Sequence, residues 1–208
     1  MTRDGVRSPR ISISAGGEGR CNNVVFLVGF MGAGKTSVGC ALGQRLNWVF
    51  EDLDDRIERR EGRTIAEIFR DSGEAAFRRA ESAALRQVLE ETRGGVSRIV
   101  ALGGGAFVQK ANAELLKGAG VPTVFLDAPV EELWRRCCKQ ATESGADRPL
   151  LQNIEQFRKL CQNRGKSYLE ASLKMETGDR AVDAIAAEVA EVLGLKRIVV
   201  RTEQGDVE

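Results

Sequence analysis

The sequence predicts an α/β domain in which helices cover both faces of a mainly parallel sheet. Three observations carry that expectation. Short apolar runs alternate with helical patterns along the chain, as successive βαβ units require. The first run, Val24 to Val28, is apolar without a break, like a strand buried on both faces. The 208 residues amount to about one domain of roughly 150 residues with additions, and 42% hydrophobic with 29% charged residues suits a globule with a sizeable core.

Residues 1–22 are rich in Gly, Ser and Arg, lack the apolar core of a secretory signal and read as a flexible tail. Asp4 and Glu18 also argue against an organellar presequence. The domain is expected over residues 23–195, with a short strand or tail over 196–208. After the strand from Val24, a Gly-rich turn leads into a helix from Thr36 to Leu46. Trp48 to Phe50 reads as a second strand, ending in Glu51, Asp52, Asp54 and Asp55 and followed by a helix from Arg56 to Glu61. Thr64 and Glu67 have capping-box spacing, so a helix starts there. Ser72 or Gly73 interrupts it, and Glu74 to Thr92 resumes it. Ile99 to Leu102 is a buried strand closed by Gly103, Gly104 and Gly105. Thr123 to Leu126 is the next, and Pro129 opens the helix Val130 to Lys139. The polar stretch from Gln140 to Gln152, broken by Gly145 and Pro149, separates it from a helix over Ile154 to Leu169. A strand over Leu173 to Thr177 and an amphipathic helix over Val182 to Leu193 complete the pattern.

Composition removes several function classes. With 31 basic and 30 acidic residues the net charge is +1, so no global field favours nucleic acid or an anionic membrane. The longest uncharged stretch, Cys21 to Gly34, is too short and too Gly-rich to span a bilayer. Histidine is absent, which excludes Ser-His-Asp triads and His-ligated zinc. Five cysteines, with Cys137 and Cys138 adjacent, form neither an even disulfide framework nor a CxxC pattern, which suits a reducing cytoplasm.

Gly29 to Thr36 matches GxxxxGK[ST] at every fixed position, between a predicted strand and a predicted helix. Backbone N–H groups of such a loop curl around a β-phosphate, and the helix adds its positive dipole end. Gly32, Ala33, Gly34, Lys35, Thr36 and Ser37 are therefore the candidate nucleotide-binding residues, with Lys35 reaching the β and γ phosphates and Thr36 ligating Mg²⁺. A second magnesium ligand is expected at a strand end. Asp52 and Asp127 both qualify, though Asp127, before Ala128 and Pro129, better suits a helix cap.

With the phosphate loop placed, Asp52-Leu53-Asp54, Phe77-Arg78 behind Gly73-Glu74, the triple glycine and Arg148-Pro149-Leu150-Leu151 together resemble a shikimate kinase over about residues 24–193. The resemblance implies the nucleoside-monophosphate-kinase type of P-loop fold, three-layered around a five-stranded parallel sheet, with substrate-binding helices and a lid at about residues 140–152. It implies ATP and Mg²⁺ as cofactors and phosphorylation of the shikimate 3-hydroxyl. By motif position, Asp52 corresponds to the acid near Mg²⁺ and Asp54 to the one contacting the substrate hydroxyl. Arg78 and Arg164 correspond to the carboxylate clamp, with Arg164 four residues before Tyr168. Glu81 corresponds to an acid positioning the arginine, and Gly103, Gly104 and Gly105 to the loop approaching the substrate ring. Arg148 corresponds to the lid arginine and Arg136 to one near adenine. The catalytic set is thus Lys35, Asp54 and Arg148.

Singly, these pieces have ordinary readings: Asp54 as a helix cap, Arg78 and Arg79 as a solvated face, the glycines as a bare turn. Cys137, Cys138, Trp48 and Trp134 read as packing or surface residues. The rival functions are another acid kinase of the same fold, such as a gluconate kinase, and a non-catalytic P-loop binding module. The expected partner is the small-molecule substrate, with neither nucleic acid nor membrane, and the expected state is a cytoplasmic monomer.

Overall fold

A computed structural model describes residues 23–144 and 153–198. Its strands are β1 (Val24–Val28), β2 (Val49–Asp52), β3 (Arg98–Ala101), β4 (Thr123–Asp127) and β5 (Leu173–Glu176). Its helices are α1 (Lys35–Leu46), α2 (Leu53–Glu61), α3 (Ile65–Arg93), α4 (Lys110–Gly118), α5 (Val130–Ser144), α6 (Ile154–Tyr168) and α7 (Val182–Val192). The strands form one parallel sheet in the order β2-β3-β1-β4-β5, the middle layer of a three-layer α/β/α fold.

Central position explains the unbroken apolar run of β1: all five of its residues are buried between β3 and β4. The edge strand β2 carries polar residues instead, and it extends two residues further than its apolar pattern predicts. Trp48 belongs to the turn that ends α1, its N–H donating to Gly43 O at 2.9 Å. Glu51 and Asp52 join the strand by pairing with Val100 and Ala101. Arg56 and Arg98 each meet the Glu51 carboxylate at 2.9 Å, so the charge on this strand is neutralised there. Arg56 and Arg98 also bind Glu91 of α3, both at 2.8 Å, closing an ion-pair network across the sheet edge.

The capping box at Thr64 forms as expected, and the predicted interruption of α3 falls at Gly73, whose φ is 75°. The strand expected to reach Thr177 ends at Glu176, and Thr177 instead donates from its N–H to Asp127 O at 2.7 Å. Helix α4 has no counterpart in the predicted pattern. It is only nine residues long, with Asn112 and Leu116 as its buried residues, too few to give an apolar period. The expected tails at 1–22 and from 199 onward lie outside the described residues. Up to Ile198 the C-terminal end is tied down: Ile198 N–H donates to Leu46 O at 2.9 Å, and Asn47 Nδ2 to Ile198 O at 3.2 Å. No helix among the described residues is long and apolar enough to cross a membrane.

Candidate active site

The turn from β1 to α1 is open to an anion. Gly34 caps α1 at φ 90°, contributes no side-chain hydrogen bond, and leaves the first-turn N–H groups facing outward. Gly32, at φ 77°, supplies another left-handed bend that a residue with a β-carbon resists. Lys35 folds back over the turn, Nζ donating to Gly29 O at 2.9 Å and Phe30 O at 3.1 Å. Burial pushes its pKa below the ordinary lysine value, while Asp52 and Asp54 oppose the shift. Thr36 and Ser37 are exposed at the head of the helix.

Asp52 and Asp54 have separate tasks. Asp52 is the N-cap of α2, its Oδ1 accepting from Asp54 N at 3.0 Å, and the nearby Thr36 hydroxyl helps to hold its pKa down. Burial raises its pKa, while the Asp54 N–H and the charge of Lys35 hold it back. Asp54 is therefore relieved of capping. Its Oδ1 is buried with no hydrogen-bond partner among the described residues, an orphaned acceptor in a site that takes an external donor. Burial, then the neighbouring Asp52, pushes the Asp54 carboxyl up to about 6. The competing acid, Asp127, ends β4 and is engaged by Lys174 Nζ of β5 at 2.9 Å. One hydroxyl near one carboxylate suits Mg²⁺, which keeps several waters and is completed by substrate phosphates. Among the described residues no group of three carboxylates or thiols forms a self-sufficient metal cage.

Two arginines reach the same place from different helices. Beyond the bend at Gly73, Arg78 of α3 is held by the fully buried Glu81, with Nη1 3.2 and 3.1 Å from its two oxygens, and by Glu74 at 3.1 Å. Arg164 of α6 lies over the ring of Phe30, 5.7 Å from its centroid. Four residues on, Tyr168 donates its hydroxyl proton to Gly104 O at 2.5 Å, and burial pushes that phenol up to about 12.

The triple glycine lies where these side chains meet. A β-carbon on Gly103 would stand 2.6 Å from Asp54 Oδ1, one on Gly104 3.3 Å from Arg164 Nη1, and one on Gly105 2.7 Å from Arg78 Nη1. One turn therefore brings together the acid and both guanidinium groups, each against its own glycine.

A cavity of about 360 Å³ opens beside the phosphate loop, between Gly34, α5 and the residues after β5. Arg136 lines it, with Nη2 donating to Thr177 O at 2.8 Å and to Gly178 O, Nη1 to Gly32 O at 3.4 Å, and Nε to Glu132 at 2.7 Å. Hydrogen bonds from Arg135 and then Arg136 hold the Glu132 carboxyl down at about 2. Arg148 and residues 145–152 of the expected lid lie outside the described residues.

Residues 31–194 match the family model for shikimate kinase. The chain belongs to the shikimate kinase family. A shikimate kinase of Cereibacter sphaeroides is 39% identical over 188 residues, covering 89% of each chain. One of Geobacter metallireducens is 40% identical over 172 residues, covering 81% of this chain and 90% of its own. The solved structure of shikimate kinase from Acinetobacter baumannii in complex with shikimate superposes with a TM-score of 0.71 at 34% identity, covering 82% of this chain and 92% of that one.

Some residues around this turn carry no assigned role in the sequence. Glu74, quoted above only as part of the Gly73-Glu74 motif, is a second anchor for Arg78 at (i, i+4) spacing. Phe30 carries no signal, since only the fold brings α6 across the phosphate loop. Trp134 is a packing residue as expected, edge-on to Phe157 at 5.1 Å, and Phe157 meets Phe30 in the same manner. Cys137 packs beneath the loop, where a β-carbon on Gly32 would lie 2.9 Å from its Sγ.

Proposed function

We propose that this protein transfers the γ-phosphoryl group of ATP to the 3-hydroxyl of shikimate, with Asp54, Arg78 and Arg164 as its acceptor site. The observation that carries this reading is the single glycine turn against which those three side chains converge, beside an open phosphate-binding helix terminus. Two guanidinium forks suit a planar carboxylate, each charge-assisted hydrogen bond contributing about 1.5–3 kcal/mol. Held by that carboxylate, the acceptor presents a hydroxyl to the orphaned oxygen of Asp54. Asp54 orients this hydroxyl and takes its proton as the O–P bond forms and the bond from the γ-phosphorus to the β,γ-bridging oxygen breaks.

The N–H groups at the head of α1 bind the β-phosphate, and Lys35 leaves the carbonyls of Gly29 and Phe30 to reach the β and γ phosphates. Thr36 and Asp52 are the residues to hold Mg²⁺, Asp52 through water, and Mg²⁺ when bound neutralises charge on the phosphate oxygens. The cavity beside Arg136 receives the adenosine end of the nucleotide. The reading is completed by a monomeric state and by a cytoplasmic location, which the cysteine pattern suits.

The test is release of ADP from ATP and Mg²⁺ with shikimate and, separately, with gluconate. Release with shikimate alone, abolished by Asp54→Asn, supports the reading. Release with gluconate, or with neither acid, overturns it in favour of a sister kinase or a binding module.

A further inference from the structure

We propose that Asn112 is a positioning residue for the acceptor site, holding the glycine turn at the separation from α3 that lets Arg78 lie against Gly105. Asn112 is 1% exposed and belongs to the first turn of α4. Its side chain spans two elements. Oδ1 accepts from Ser82 Oγ of α3 at 2.7 Å, and Nδ2 donates to Ala106 O at 3.1 Å. Ala106 in turn closes the glycine turn, its N–H donating to Gly103 O at 3.0 Å.

Ser82 follows Glu81, the carboxylate that holds Arg78. Two consecutive residues of α3 thus grip the turn from two sides. Glu81 does so through Arg78, whose Nη1 would stand 2.7 Å from a β-carbon on Gly105, and Ser82 does so through Asn112 and the carbonyl of the next residue, Ala106. The chain of contacts Glu81, Arg78, Gly105, Ala106, Asn112, Ser82 closes on itself. Helix capping does not account for Asn112, since its side chain crosses from α3 to the turn carbonyl and bonds to no N–H of α4. A buried amide with donor and acceptor both used fixes a distance and an orientation together, which an apolar side chain of the same size does not.

The proposal rests on the shikimate reading of the site, and the wild-type assay separates the two: no turnover with shikimate in the wild type fails that reading, and only an active wild type tests Asn112. In the full-length protein, Asn112→Asp keeps the acceptor facing Ser82 and removes the donor to Ala106 O. KM for shikimate is expected to rise about fivefold, the factor that the net worth of one hydrogen bond supplies, with KM for ATP and kcat within about twofold, because the clamp acts on binding in ground and transition states alike. Ser82→Ala, in a helix that tolerates alanine, moves KM for shikimate in the same direction by about fourfold, outside that twofold band. A lowered Tm with both KM values unchanged, or a parallel rise in both, assigns Asn112 to stability alone and overturns the proposal. If Asn112→Asp does not fold, Ser82→Ala decides: an unchanged KM for shikimate overturns it.

Discussion

Gly103 and Asp54 are packed so closely that a methyl group on the glycine would stand 2.6 Å from Oδ1 of the carboxylate. Asp54 is a short side chain fixed in the first turn of α2, so it has little room to yield. Gly103→Ala is therefore expected to displace the acid, lowering kcat with shikimate at least about tenfold and stability by about 1–3 kcal/mol, the usual cost of overpacking. Steady-state kinetics with a urea melt checks both.

The carboxyl of Asp54 is pushed up to about 6 from an ordinary 3.8, chiefly by burial. An acid whose folded pKa is raised binds protons more tightly in the native state, so stability falls as pH rises from about 4 to about 6 and is level above that. The span corresponds to something on the order of 2–3 kcal/mol. Asp54→Asn should remove this slope and be the more stable protein at pH 7 while losing turnover. The same group must be ionised to accept a proton, so kcat/KM for shikimate in the wild type should rise with pH around a midpoint near 6. A flat profile between pH 5 and 7 would sink the base assignment.

Glu81 is fully buried and meets Arg78 at 3.1 Å. Burial raises its pKa and the arginine opposes the shift. Glu81→Gln keeps the shape, removes the charge and leaves Glu74 as the sole anionic partner of Arg78 among the described residues. KM for shikimate should rise by about tenfold, the weight of a charge-assisted hydrogen bond, with KM for ATP unchanged. Separate titrations of the two substrates give the answer.

At the sheet edge, Glu51 is 10% exposed at its side chain and binds Arg56 and Arg98, with Arg59 at 3.0 Å. Glu51→Ala leaves two partly buried guanidinium groups with Glu91 alone, and a loss of about 3 kcal/mol is expected from breaking such a network. Urea denaturation measures it. A change under about 0.5 kcal/mol would mean that the network behaves as an exposed one.

The parts of this protein legible from its sequence are those whose cause is local. A continuous apolar run makes β1, the spacing of Thr64 and Glu67 makes a cap, and the fixed positions from Gly29 to Thr36 make a phosphate loop, because each depends on residues a few positions apart. The choice between Asp52 and Asp127 was not local. Both follow apolar runs, and only the sheet order, with β2 at one edge and β5 at the other, sets Asp52 beside Thr36 and gives Asp127 to Lys174. Helix α4 was hidden because a short helix with two buried residues has no period to read. The glycines show the limit most plainly. Gly103, Gly104 and Gly105 announce a turn, but a residue without a side chain carries no trace of what approaches it, and that Asp54, Arg164 and Arg78 each fill one of those vacancies was decided by three helices packing around one strand end.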